Sequence, residues 1–207
     1  GLFRTEEDIA KHATQNGGEG LGRIRYRDLN EDGKIDEDDR TWIGSPHPDF
    51  MYGLNIELSY KNFDLSAFFY GVNGIDVNTY VVKSETDFWS INDVRSNKGT
   101  RLLDAWSPTN PDSNIPAITA LNANDEGRMS TYFVENGSFL KLRNLQLGYT
   151  LPRKISEKAY IEKCRIYVSG QNLFTIKSKN FSGVDPENAG FGYPIPTTFT
   201  VGINIGF

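Results

Sequence analysis

The stretch "TFTVGINIGF", Thr198 to Phe207, sets Phe199, Val201, Ile203, Ile205 and Phe207 on one side of an extended chain and Thr200, Gly202, Asn204 and Gly206 on the other. A period of two belongs to a β-strand with one apolar and one polar face, because successive side chains point in opposite directions. The same alternation recurs upstream. In "YGLNIELSY", Tyr52, Leu54, Ile56, Leu58 and Tyr60 oppose Gly53, Asn55, Glu57 and Ser59. After the turn-capable pair Lys61-Asn62, "FDLSAFFYGV" carries Phe63, Leu65, Ala67 and Phe69 against Asp64 and Ser66, and the alternation degrades at Phe68 and Tyr70. "SFLKLRNLQLGYTLP" places Leu145, Leu147, Tyr149 and Leu151 on one side, and "CRIYVSGQNLF" sets Cys164, Ile166, Val168, Gly170 and Asn172 opposite Arg165, Tyr167, Ser169 and Gln171. The chain is therefore expected to be all-β, with five long strands of about ten residues each.

About ten residues is what a tilted strand needs to cross a bilayer, whereas strands of soluble proteins are more often near five or six. On pattern alone, a soluble β-protein with long strands stays open. Two features favour an antiparallel transmembrane β-barrel segment. An alternating strand that closes on Phe207 suits the aromatic girdle of such a barrel better than the fraying terminus of a soluble domain. The connections also fit: a tight turn at 61–62, a long stretch at 74–130, a medium one at 152–162 and a long one at 175–196. With the end of the last strand in the periplasm, both long connections fall outside the cell, as barrels of this kind require.

Bulk composition excludes several other classes. The net charge is −5, and residues 28–39 hold seven acids against Lys34, so the rest of the chain is close to neutral. No basic stripe exists for nucleic acid. Cys164 is the one cysteine, which rules out an intrachain disulfide or cysteine metal cluster and suits packing on an apolar strand face. No apolar run approaches the length of a membrane helix. His12 and His47 lack the spacing of a catalytic zinc site, "GGEGLG" (Gly17 to Gly22) follows no strand and opens no helix, and no GxSxG elbow occurs. Nothing assembles a catalytic set, so the chain is not expected to be an enzyme. It opens "GLFRTEEDIA" without Met or a signal-like segment and reads as an excerpt of something longer.

The acidic run "DLNEDGKIDEDDR" has its own logic. Laid on a twelve-residue calcium loop, Asp28, Asn30 and Asp32 take positions 1, 3 and 5, and Gly33 takes the sharp turn at 6. Lys34 offers its carbonyl at 7, Asp36 sits at 9, and Asp39 closes at 12, where an EF-hand has Glu; the shorter arm resembles dockerin-type loops. Ile35 at position 8 can tuck inward. A structural Ca2+ is expected here, and the competing reading is a solvated acidic loop.

Several blocks together resemble the C-terminal part of SusC/RagA-type TonB-dependent outer-membrane transporters: "RYRDLNEDGKIDEDDRTWIG", "PDFMYGLNIELSYKNFDLSAFFYGVNG", "VENGSFLKLRNLQLGYTLP", "RIYVSGQNLFTI" and "PIPTTFTVGINIGF". They run in order from about Phe3 to Phe207. The resemblance implies the last strands of a 22-stranded barrel with an upstream plug and TonB-contacting region, set in the bacterial outer membrane and capped by a SusD-like lipoprotein. It implies import of glycans or peptides. Residues 1–48 would then form an outer loop carrying the calcium-like segment 28–39, and 49–207 the barrel strands with long outer loops at 74–130 and 175–196. In those loops Tyr80, Trp89 and Trp106 are candidates for ligand or lid contact, weighed against simple packing. Asn55, Glu57, Gln171 and Asn204 would face the lumen. A soluble calcium-stabilised carbohydrate-binding β-module is the alternative that the residues leave standing.

Overall fold

Phe50–Tyr60 (β1) and Phe63–Asn73 (β2) form an antiparallel hairpin, closed by Lys61 and Asn62 with Lys61 in the left-handed region at φ 54°. The computed structural model describes residues 1–15, 17–91, 97–190 and 192–207. Two short strands, β3 (Asp76–Asn78) and β4 (Val134–Asn136), pair with one another. Three further long strands follow: β5 (Phe139–Thr150), β6 (Lys163–Lys177) and β7 (Thr198–Gly206). The five long strands make one antiparallel sheet in the order β1-β2-β5-β6-β7. Among the described residues, no helix is long and apolar enough to cross a membrane, a test that does not apply to strands.

The chain divides into two units. The sheet belongs to the unit built from Ser45–Val77, Asn136–Asn188 and Gly192–Phe207. The other unit combines Gly1–Gly44 with Asn78–Glu135 and Ala189–Phe191, so the opening segment shares its fold with the long stretch between β2 and β5. That stretch is not structureless. It contains α2 (Tyr80–Thr86) and a 3-10 turn at Thr100–Asp104, while α1 (Glu6–Ala10) lies in the opening segment behind a Thr5 capping box.

The core of this second unit is Leu2, Ile24, Phe88, Trp106 and Phe133, with Tyr26, Tyr80 and Tyr132 packed against it. Short loops cannot satisfy their own backbone through a ladder, so side chains do it. Asn124 Nδ2 donates to the Ile24 carbonyl (2.8 Å), the Ile24 N–H donates to Glu126 Oε1 (2.9 Å), and the Tyr26 N–H donates to Gln15 Oε1 (2.8 Å). Gln15 Nε2 in turn donates to Asn124 Oδ1 (2.7 Å). Gly22, at φ 74°, lies where a Cβ would enter the Trp106 ring, so the close fit there depends on its missing side chain.

Candidate functional site

Residues directly opposite one another in an antiparallel pair point to the same face, so the register sorts every side chain of the sheet. One cross-sheet row reads Tyr60, Phe63, Tyr149, Ile166, Ile203; the next reads Leu58, Leu65, Leu147, Val168, Val201. Then come Ile56, Ala67, Leu145, Gly170, Phe199, followed by Leu54, Phe69, Leu142, Phe174 and by Tyr52, Gly71, Leu140, Ile176. Every member is apolar, aromatic or glycine. The bulge between Leu142 and Asn144 matters here, because without it a one-residue slip would turn polar groups into this face.

This face is bare. On β7, Phe199, Val201, Ile203 and Ile205 are 70%, 76%, 60% and 50% exposed, and Leu54, Leu58, Leu147 and Val168 are exposed as well. From Tyr52 to Tyr60 there are eight residue steps, about 27 Å along the strand. At the usual barrel tilt of about 40° that is a band about 20 Å tall, comparable to the apolar belt of an outer-membrane barrel. Aromatic rings gather at one rim, where Phe63 and Tyr149 lie 4.7 Å apart beside Tyr60.

The opposite face is polar. Its rows include Asn55, Phe68, Asn144, Gln171, Thr198, then Glu57, Ser66, Gln146, Ser169, Thr200, then Ser59, Asp64, Gly148, Tyr167, Gly202. Asn204 lies opposite Arg165 on this same face. Sequence reading did not find the ion pair that crosses it. Arg165 on β6 reaches over β5 to Asp64 on β2, donating from Nε to Oδ1 at 2.9 Å. It can do so because Gly148 stands between them: a Cβ there would lie 2.4 Å from Arg165 Nη2 and 2.5 Å from Asp64 Oδ1. The signal in the sequence was an acid, a glycine and an arginine at one level of three strands, visible only once the register is known.

A second polar cluster lies further along the same face. Lys141, whose side chain is 1% exposed, donates from Nζ to both Asp185 oxygens at 2.8 and 2.7 Å and to Glu187, which also accepts from Arg143.

The acidic loop is organised by its own carboxylates. Asp28 accepts from the N–H groups of Glu31 (2.7 Å) and Gly33 (2.9 Å), and Asp32 accepts from the Lys34 N–H (2.9 Å). Asp39 accepts from Leu29 (2.6 Å) and Asp36 (2.9 Å), which closes the loop and holds its carboxyl below the usual carboxylate range. Gly33 is at φ 84°, as the turn position requires, and Ile35 is buried with its N–H on the Thr14 carbonyl. The hard-oxygen donors and the backbone course suit Ca2+. The side chains are not drawn together: among the described residues, no three carboxylate, imidazole or thiol groups converge as a metal cluster.

The three aromatic candidates are separated by their environments. Trp106 is in the core, Tyr80 packs edge-on against Phe133 at 4.9 Å, and Trp89 is more than a third exposed. Cys164 is buried on the apolar face beside Ile205. His12 packs edge-on against Phe3.

Such a sheet, greasy and bare on one side and hydrogen-bonding on the other, is an antiparallel wall segment of a transmembrane β-barrel, left open because five strands do not close a wide one. No family profile matches the chain. Individual relatives do. The chain is 35% identical to TonB-dependent receptor P3 of Formosa agariphila, over 94% of its own length and 20% of that protein. It is 32% identical to TonB-dependent receptor SusC of Bacteroides thetaiotaomicron, over 88% of this chain and 17% of the relative. Among solved structures it superposes on the RagAB peptide transporter with a TM-score of 0.66 and 27% identity, covering 84% of this chain and 19% of that one. The match to the RagAB importer in the closed-closed state is 0.65. The chain belongs to the SusC/RagA-type TonB-dependent receptors, and it spans about a fifth of the length of the relatives it matches.

Proposed function

We propose that this chain is the C-terminal wall of a TonB-dependent importer in the bacterial outer membrane, contributing the last strands of a 22-stranded barrel and part of its outer surface. The observation that carries this reading is the continuous, exposed, register-matched apolar face from Tyr52–Tyr60 to Phe199–Ile205. A soluble calcium-stabilised carbohydrate-binding module would leave the same face in water, where contiguous apolar patches of this size are not tolerated. In the proposed role the sheet is passive: it separates acyl chains from an aqueous lumen. The plug, the TonB contact and the energised steps belong to the rest of the protein.

A SusD-like lipoprotein is the proposed lid, supported by kinship with SusC and by the superposition on a two-component RagAB assembly. Glycan or peptide is the proposed cargo. Trp89, exposed in the second unit, is the better placed of the aromatic candidates to meet a lid or ligand. For residues 28–39 we propose a weak structural Ca2+ held by Asp28, Asn30, Asp32, the Lys34 carbonyl, Asp36 and Asp39, supported by the ligand spacing and by Gly33 at the turn. Binding would draw the carboxylates inward from their present positions.

The wall is tested by single-cysteine probes in the full-length protein, in a Cys164→Ser background. A fluorophore at Ile203→Cys should be quenched by brominated lipid and spared by aqueous iodide. At Asn204→Cys the preference should reverse. Equal quenching of both sites by iodide would overturn the proposal.

A further inference from the structure

The connection after β6 is expected from the sequence to form part of a long outer loop, 175–196. In the structure its first part folds back over the polar face of the sheet, held by lysine and arginine side chains of that face. Lys177 lies opposite Phe139, and Lys141 opposite Thr175, so Phe139, Lys141, Thr175 and Lys177 all share the polar side with Asn144 and Gln146. From Lys177, Nζ donates to the carbonyls of Gly183 (2.6 Å) and Val184 (2.8 Å), and the ammonium stands 5.0 Å from the centre of the buried Phe181 ring. From Lys141, Nζ is enclosed by Asp185 and Glu187, and Arg143 shares Glu187. The tip is preorganised to offer both acids: Asp185 and Asn188 form a bridge, and the Glu187 N–H donates to Asp185 Oδ1 at 2.9 Å.

We infer that Ser178–Asn188 is a lumen-side strap, so that at this level of the barrel it is the strap, and not β5, that cargo meets. This rests on the wall reading given above, which decides that the polar face is the lumen. The chemistry of the surface changes as a result. Bare β5 would present Lys141 and Arg143, two cations, to the passage. Asp185 and Glu187 cancel both, and the strap presents Lys179, Asn180 and Val184 outward instead. The covered surface then carries one exposed cation, Lys179, beside a polar and an apolar side chain, where the uncovered strand would offer two cations. It therefore suits uncharged or zwitterionic cargo better, and an anionic cargo would be better served by the uncovered strand. The clasp is also built to stay shut. A lysine this deeply buried is costly unless it is paired, so a closed strap lacking Asp185 and Glu187 would leave Lys141 buried without counter-ions and favour opening.

The test uses the full-length protein in lipid nanodiscs, where both rims are open to the solution, and the membrane-impermeant lysine reagent sulfo-NHS-acetate, read by mass spectrometry. Lys61, exposed at the opposite rim, is the internal reference. In the unaltered protein Lys141 should be acetylated at least about tenfold more slowly than Lys61, and Asp185→Asn/Glu187→Gln should remove that protection, since a buried ammonium without counter-ions is unstable. Asp185→Glu, which keeps the charge, should retain it. A heat-modifiable gel shift confirms that each variant is folded. A fluorophore at Val184→Cys should be quenched by iodide and not by brominated lipid. Lys141 acetylated as fast as Lys61, or unchanged by removal of both acids, would overturn the clasp. Lipid quenching at Val184 would overturn the lumen placement, and the Ile203 probe tells these results apart from a failure of the wall itself.

Discussion

Replacing Leu147 by arginine asks whether the bare face meets lipid or water. Leu147 lies on the central strand β5 between Leu65 and Val168, all on the apolar side, and is 44% exposed. It is one cross-strand row from the middle row of the band, about 7 Å along the strand or about 5 Å in depth at a tilt near 40°. Arginine on the lipid face of a barrel costs about 2–4 kcal/mol at the midplane and falls toward zero at the interfaces, so Leu147→Arg should cost about 2 kcal/mol. That is about a thirtyfold loss in the folded-to-unfolded ratio. Gln146→Arg, one residue away on the opposite face, should stay within about 0.5 kcal/mol. Urea titration of the full-length protein folded into phospholipid vesicles, followed by heat-modifiable mobility, measures both. In water a half-exposed leucine would tolerate arginine nearly as well as Gln146 does. A difference between the two variants below about 0.5 kcal/mol would refute the membrane reading of this face.

Other outcomes follow from the same geometry. Gly148→Ala should cost about 1–3 kcal/mol by forcing Arg165 off Asp64, and in an Asp64→Asn/Arg165→Gln background much of that cost should vanish, as a double-mutant cycle would record. Burial raises the Glu126 carboxyl above its usual range despite Arg23, whose Nη2 lies 2.7 Å from Oε2 without hydrogen-bond alignment. The folded state then holds that proton more tightly than the unfolded one. Its contribution is therefore complete below the ordinary glutamate pKa and is lost as pH rises through the raised folded value. Hydrogen exchange at the Ile24 amide, bonded to Glu126, should speed up across that window, and Glu126→Gln should flatten the profile. Calorimetry should find Ca2+ binding in the range of about 0.1–1 mM, as for extracellular modules, with loss of the heat signal in Asp32→Ala. No signal from the folded full-length protein, or an unchanged affinity in the variant, would remove calcium from the loop.

The sheet was legible because period-two alternation is a local signal, and its strands begin and end close to where the pattern does. β6 runs three residues beyond the recognised "CRIYVSGQNLF", through Thr175, Ile176 and Lys177, because bulges at Leu142–Asn144 and around Asn172 keep it paired after the simple alternation breaks. The second unit was less legible. Its core joins Leu2 and Ile24 to Phe88, Trp106 and Phe133, and no periodicity links residues that far apart in the chain. The polar-face clusters were hidden for a related reason. Asp64 with Arg165, and Lys141 with Asp185, become neighbours only through strand order and register, which composition cannot supply.

These same clusters bear on how the wall can move. Hydrogen-bond ladders run unbroken from β1 to β7, Asp64 and Arg165 tie β2 to β6 across β5, and the strap ties β5 to the end of β6. Shearing β2, β5 or β6 past a neighbour would break backbone pairs and separate a buried or half-buried charge from its partner at the same time. That couples two costs which could otherwise be met separately. The sheet should therefore respond to cargo and partner as one piece, with opening carried by other parts of the protein. In full-length protein, β5 amides, paired on both sides, should exchange far more slowly than those of residues 97–130, whose backbone is held by isolated turn and loop hydrogen bonds. Exchange in β5 as fast as in 97–130 would mean that the wall itself deforms, and the passive role assigned to it would have to be abandoned.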